Sequence, residues 1–272
     1  MKKLMALFFV PGIGVAGTSY DLNFRDLTHP ASAPMTSRHF VQDGTVRVDL
    51  VENRVLIFKD QALYVVDNKA RQFSLDSFAT RDRILARTAD QVQQIRAKAA
   101  TAPADQREKM EQGASTIEKF QTDTFKTVSR AYAATTNSEV VDGHKCRIWT
   151  ETQEGAKRLE LCVVSANTVR GGDEILAGMK MLSQYPVFGS LQAFGVQFGY
   201  GEWWTGIESL GGLPVLIREF EHGHVVLETT ITNVHQERLS QSLFDIPDGY
   251  EKLQSGHARE VAPQSTTGIV SQ

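Results

Sequence analysis

Arg38-His39-Phe40-Val41-Gln42-Asp43-Gly44-Thr45-Val46-Arg47-Val48-Asp49-Leu50 is the stretch that decides the fold. Apolar and polar residues alternate on both sides of Asp43-Gly44, the period of a half-buried strand. An Asp-Gly pair between two such runs signals a tight hairpin, because both turn residues must adopt positive φ. The same grammar continues outward. Val55 to Phe58 and Leu63 to Val66 read as strands joined at Lys59-Asp60-Gln61, and Asp67-Asn68-Lys69 turns the chain into Arg71 to Leu75. Residues 19 to 75 are therefore expected to form an antiparallel meander.

From about Thr80 to Ile117 the period changes. Leu85, Ala89, Val92, Ile95 and Ala99 recur at helical spacing, and Met110, Ala114 and Ile117 repeat it after a break at Thr101 and Pro103. Proline is well placed in the first turn of a second helix. Both apolar stripes are narrow, which predicts helices lying across a surface rather than a self-standing coiled coil. Strands are expected to resume at Thr122, and Asp142-Gly143 and the Glu154-Gly155 region mark further turns. Cys146 to Thr150 and Arg158 to Val164 read as strands, and Asp173 to Ser183 as a helix. Pro214 to Phe220 and Val225 to Val234 read as a last hairpin about His222-Gly223-His224.

The first residues read as an export signal. Lys2 and Lys3 precede an apolar run, Leu4 to Val10, and small residues through Gly14, Ala16 and Gly17 lead into polar Thr18. That order matches a cleaved secretory leader, and the apolar run is too short to span a bilayer. Cleavage is expected near Ala16 or Gly17, leaving a periplasmic protein without a membrane span. No cysteine stands near that cut, so no lipid anchor is expected. Gly12-Ile13-Gly14-Val15-Ala16-Gly17 also spells a dinucleotide-loop pattern, but that pattern works only between a strand and a helix. With 272 residues, 41% hydrophobic and 22% charged, the composition is that of a globular protein. Without Lys2 and Lys3 the chain keeps 27 basic against 32 acidic residues, near −5, which offers no basic face for nucleic acid. The expected organisation is a signal peptide over 1–17 and one domain over 18–254, with a helical insertion at about 80–120. A disordered tail over 255–272 completes it.

Cys146 and Cys162 flank the hairpin centred near Glu154. A three-residue turn at Gln153 to Gly155 sets them directly opposite one another, close enough for a disulfide. Export places them where such a bond persists. A two-residue turn shifts the register by one and points the sulfurs to opposite faces. Inert thiols, a zinc site with His144 and a Cys146 nucleophile are the competing readings. His222 and His224 flank a turn, and no third ligand for a metal is evident. No nucleophile-elbow, zincin or phosphate-loop pattern occurs, so no catalytic residue, metal or cofactor is expected.

The stretch from Tyr185 to Trp204 is the most unusual in composition. Tyr185, Phe188, Phe194, Phe198, Tyr200, Trp203 and Trp204 interleave with Gly189, Gly195, Gly199 and Gly201. Aromatics among glycines suit a greasy segment that lines or closes an apolar cavity, or fills the core beneath a loop. Tyr185, Phe188, Phe194, Phe198, Trp203 and Trp204 are the candidate ligand-binding residues.

Several segments carry a family resemblance. They are Thr45 to Asp49, Leu63 to Asp67, Val141-Asp142-Gly143-His144-Lys145-Cys146 with Cys162, Gly211 to Val215, and Leu243-Phe244-Asp245-Ile246-Pro247-Asp248-Gly249-Tyr250. Over about Val46 to Leu253 the chain resembles bacterial periplasmic proteins carrying a domain of unknown function in the LolA-like superfamily, that of the lipoprotein-localisation carrier. The resemblance implies a mainly β (α+β) fold: a curved antiparallel half-barrel, unclosed, with helices covering its concave face. It also implies an apolar concave surface able to receive lipid chains. The helical insertion is longer and more polar than that pattern. The expected function is non-enzymatic binding of a lipid or other apolar ligand in the half-barrel. An envelope interaction protein with a closed cavity is the alternative, and a hydrolase the third reading.

Overall fold

The computed structural model describes residues 16–50, 53–125, 131–183 and 206–253. The leader up to residue 15, the aromatic segment with Tyr185, Phe188, Phe194, Phe198, Trp203 and Trp204, and the 255–272 tail lie outside the described residues. The described residues form a mainly β structure, an unclosed twelve-stranded sheet with three α-helices.

The first meander is β1 (Gly17–Asp26), β2 (Met35–Gln42), β3 (Thr45–Asp49), β4 (Arg54–Lys59), β5 (Ala62–Asp67) and β6 (Gln72–Ser77). Helices α1 (Phe78–Thr101) and α2 (Ala104–Phe125) follow, then β7 (Ala133–Val141), β8 (His144–Gln153), β9 (Ala156–Val164) and α3 (Gly172–Ser183). The chain closes with β10 (Leu213–Glu221), β11 (His224–Glu237) and β12 (Glu251–Lys252). In space the order is β12-β6-β5-β4-β3-β2-β1-β11-β10-β9-β8-β7. Every pairing is antiparallel except the short parallel contact of β12 with β6. The long β1–β11 ladder welds the two meanders, and α1 and α2 follow β6, next to the β12 end of the sheet, and precede β7 at the other end.

Two-residue turns make the hairpins. Asp43-Gly44, Asp142-Gly143, Glu154-Gly155 and His222-Gly223 all hold positive φ at both positions, as the twist of the flanking strands demands. Asp60-Gln61 does so without a glycine, at φ 53 and 57.

Three expectations need correction. Strands do not resume at Thr122, because α2 runs on to Phe125; β-branched Thr122 and Thr124 yield to the helix already under way. The hairpin carrying the cysteines turns through two residues, Gln153 pairing with Ala156, rather than through three. Among the described residues helices α1 and α2 pack principally on one another rather than across the sheet, burying Val92, Ala99 and Ala114. Twenty-four and 22 residues give each helix a length of roughly 35 Å, enough for one narrow stripe to find a partner along the other. Arg96 closes that pairing with a two-pronged bond to Glu118 at 2.8 and 2.7 Å.

Helix α3 does cover the inner face. Ile175, Met179 and Leu182 are buried there, and Gly178 lies so close to β2 and β3 that a Cβ would stand 2.9 Å from Val41 Cγ2. The outer face of β4 and β5 carries a second, smaller core. The segment after β11 crosses it as a strap, burying Leu239 and Phe244 against Val55, Ile57 and Val66. Arg47 Nη1 donates to Leu243 O at 2.7 Å, Lys59 pairs with Asp245 at 2.9 Å, and Tyr250 Oη donates to Asn68 Oδ1 at 3.1 Å. The strap ends as β12 on β6, covering part of that sheet edge, where unpaired backbone groups invite association. At the other edge, β7 is blunted by an irregularity between Ala134 and Ser138. There Asn137 N donates to Thr135 Oγ1 and Arg147 Nε to Thr135 O.

Candidate functional site: the inner wall of the half-barrel

Strand register places the inner wall row by row. Tyr20 faces His39, His39 faces Val48, Val48 faces Leu56 and Leu56 faces Val65, one row over five strands. The neighbouring row is Thr18, Val41, Val46, Phe58 and Leu63, the part that α3 caps. On the other side of β1, Phe24 faces Thr229, Thr229 faces Ile217, Ile217 faces Leu161 and Leu161 faces Trp149. The next row outward is Asp26, Leu227, Glu219, Leu159 and Glu151. Tyr20, Leu22, Phe24, Val48, Leu56, Val65, Leu161 and Ile217 belong to one continuous apolar cluster. The wall is therefore greasy over most of its span, with polar residues set into it at Ser37, His39, Thr229, Glu151 and Glu219.

His39 is the most perturbed group on the wall. It is 1% exposed, stacks on Tyr20 with ring centroids 4.8 Å apart, and shares a 2.9 Å hydrogen bond between its Nε2 and Ser37 Oγ. Burial pushes its pKa from 6.5 down to about 3, so the ring is neutral in the folded protein.

The cysteines are joined as a disulfide, with Cα atoms 5.3 Å apart, and each is 1–2% exposed. They are not directly opposite: Cys162 faces Ile148 and Cys146 faces Glu139. The two-residue turn moves the register by one, and a bulge between Glu151 and Thr152 moves it by one more. Two shifts restore parity, so both sulfurs point to the same face as diagonal neighbours. The zinc and nucleophile readings of Cys146 fall with the bond, since neither sulfur is a thiolate.

Beside the disulfide lies a hub that sequence reasoning missed. Arg218 Nη1 and Nη2 bond Glu139 at 2.8 Å each, Nη1 also bonds Glu160 at 3.0 Å, and Nε bonds Glu228 at 3.2 Å. Hydrogen bonds from Arg218 hold the Glu139 carboxyl below the usual range. Burial raises Glu160, but its bonds from Lys157 and Arg218 outweigh that and lower it. Strand β7 is three places from β10, about 14 Å across a flat sheet. Direct contact between Glu139 and Arg218 therefore requires the β7–β8 hairpin to coil back over β9 and β10. Partners 79, 58 and 10 residues from Arg218 leave no local sequence pattern to find them by.

His222 and Gly223 form the β10–β11 turn, and His224 faces Glu221 as the first residue of β11. Among the described residues no three His, Cys, Asp or Glu side chains gather as metal ligands. Among them, too, no helix is long and apolar enough to cross a membrane.

No family model matches the chain, and no curated protein matches it significantly. Solved structures similar to it include an uncharacterised conserved protein from Thermus thermophilus, at TM-score 0.43 and 6% identity. That match covers 89% of this chain and 91% of the other. PNGF-II matches at TM-score 0.30 and 8% identity over 89% of this chain and 31% of that one. The MucA/MucB complex of Pseudomonas aeruginosa matches at TM-score 0.29 and 11% identity, over 85% of this chain and 55% of that one. Likenesses at this level carry no argument about function.

Proposed function

We propose that this is an exported, non-enzymatic protein of the bacterial envelope that takes a lipid or other apolar ligand against the inner wall of its half-barrel. The observation that carries the reading is the wall itself, an apolar cluster with a few polar residues set into it, running from β5 through β1 to β8 in a sheet that does not close. Apolar binding of this kind needs shape and greasy surface with few polar groups, not a charged motif. The Cys146–Cys162 disulfide supports an oxidising compartment, and the leader-like residues 1–17 support export to the periplasm. The resemblance to the LolA-like superfamily supports the same use of the concave face by analogy. Tyr185, Phe188, Phe194, Phe198, Trp203 and Trp204 are the residues proposed to line or close it.

The test is direct. Protein purified from its native periplasm is extracted and its small molecules identified by mass spectrometry, then the delipidated protein is titrated with a fluorescent fatty-acid probe. One recurrent lipid and displaceable probe binding are expected. No co-purifying lipid together with no probe binding would sink the proposal.

A second reading, an envelope protein that works by contacting another protein, is favoured by one observation: α1 and α2 satisfy one another and stand largely apart from the sheet. Deleting residues 78–125 and repeating a pull-down from envelope extracts separates the two. Lost partners with probe binding retained favour contact through the helices, and unchanged partners exclude it.

A further inference from the structure

Among the described residues, two threonines on the inner wall carry hydroxyls that the fold does not use: Thr18, packed against Gly171 where α3 caps the wall, and Thr229, outside that capped row. Thr229 is 0% exposed, and among the described residues its Oγ1 has no hydrogen-bond partner. Register sets it between Phe24 on β1 and Ile217 on β10, with Leu227 and Ile231 before and after it on the same face. All four are apolar members or close neighbours of the main cluster. A buried hydroxyl without a partner is destabilising, and valine has the same shape without that cost. Valine at 229 would suit the strand and the packing equally well, so the hydroxyl is free to serve a group brought to the wall.

A hydroxyl can meet an ester, amide or alcohol group but cannot offset a full charge. Among the described residues no cationic side chain occupies the wall positions facing Thr229 or flanking it, and Glu219 stands opposite its neighbour Leu227. An anionic head therefore finds nothing there to balance it, and bringing an unpaired charge into such a wall is expensive.

We propose that the ligand is an amphiphile with a neutral oxygen-bearing group next to its hydrocarbon chain, and that Thr229 Oγ1 is the wall atom that hydrogen-bonds this group. The inference rests on the apolar-ligand reading above and narrows its ligand class.

The experiment uses the full mature protein and its Thr229→Val and Thr229→Ser variants. A fluorescent fatty-acid probe is displaced by monoolein, oleate or octadecene. Wild type is expected to prefer monoolein over both competitors. In Thr229→Val its affinity for monoolein should fall about three- to tenfold, the worth of one hydrogen bond, with octadecene unchanged. Thr229→Ser should keep most of the monoolein affinity. Urea unfolding of the valine variant, expected to be no less stable than wild type, shows that any loss is not misfolding. Equal monoolein binding by wild type and Thr229→Val overturns the inference while leaving the apolar-ligand reading standing, as does a preference for oleate or octadecene. Failure of every competitor and the probe to bind wild type overturns both.

Discussion

His39 makes the stability of this fold depend on pH in a window where few other groups act. Its pKa falls from 6.5 in an unfolded chain to about 3 in the folded one, because the ring is buried against Tyr20 and Ser37. A histidine with a depressed folded pKa stabilises the fold fully above its unfolded pKa. That contribution is lost as pH drops below 6.5 toward 3, since only the unfolded chain then takes the proton. Between pH 7 and pH 5 the linkage relation gives a loss of about 2 kcal/mol, and by pH 4 about 3 kcal/mol. With an m-value of about 2 kcal/mol/M, the urea midpoint should move down by ~1 M over the first of these steps. His39→Gln keeps a neutral polar group beside Ser37 and removes the titration. The variant should lose some stability at pH 7 but show a much flatter midpoint between pH 7 and pH 5. The carboxylates that Arg218 holds down, Glu139 and Glu160, act only at lower pH, since their pKa values lie below the ordinary carboxylate value. A His39→Gln variant that retains the wild-type slope, or a His39 ring that titrates by NMR near its unfolded value of 6.5, would refute this origin of the pH dependence.

Three further perturbations test the rest of the structure. Replacing both cysteines, Cys146→Ala with Cys162→Ala, should cost about 3 kcal/mol for a loop of this size, seen as a lower thermal midpoint. The wild-type bond should resist reductant until denaturant is added, because both sulfurs are buried. Arg218→Met leaves Glu139, Glu160 and Glu228 facing one another and should cost roughly 1–2 kcal/mol after allowance for the hub's partial exposure. The deficit should shrink as pH falls through the carboxylate range; a deficit independent of pH would show that lost packing, not charge, is responsible. Phe244→Ala should cost about 3–5 kcal/mol by opening the outer core, measured by urea unfolding, and a loss under about 1 kcal/mol would mean that the sheet is stable without its strap.

The sequence made the hairpins legible because their chemistry is local. Asp43-Gly44 and Asp142-Gly143 announce two-residue turns, and alternation in Thr45 to Asp49 assigns the inner side to Val46 and Val48, as the register confirms. Period also revealed α1, α2 and α3. What escaped was set by partners distant in the chain. Nothing near Arg218 points to Glu139, and nothing in Leu243 to Tyr250 states that this apolar run will cross the back of β4 and β5. The ambiguity was greatest in α1 and α2, where a narrow stripe predicts burial but not against what; each found the other. Thr229 escaped for a different reason. In sequence it is one threonine among Thr229, Thr230 and Thr232, all equally suited to a strand, and only the register turns it to the inner wall.

The cysteine pair is where counting along the sequence reached the right bond through the wrong geometry. Direct opposition requires a three-residue turn, and with two residues the side chains part to opposite faces. The Glu154-Gly155 turn has two residues, yet the bond forms, because the strand gains one residue at the bulge beyond Glu151. Parity, not distance along the chain, decides which face a strand residue occupies, and a bulge reverses parity as a turn does. A bulge also adds local twist, and this one lies on the strand beside the β7–β8 hairpin, whose Glu139 bonds Arg218. The disulfide thus follows from one inserted residue, and the ion hub lies beside it, with Glu160 of β9 bonded to Arg218 and Glu139 of β7 opposite Cys146. Deleting Arg158, the residue that the register leaves without a partner, should therefore disturb both together: the sulfurs would be turned apart and Glu139 drawn off Arg218. Free thiols appearing in that variant under native conditions, with the wild type showing none, are the expected result. A deletion variant that keeps its disulfide and its wild-type stability would break the link between the bulge and the bond.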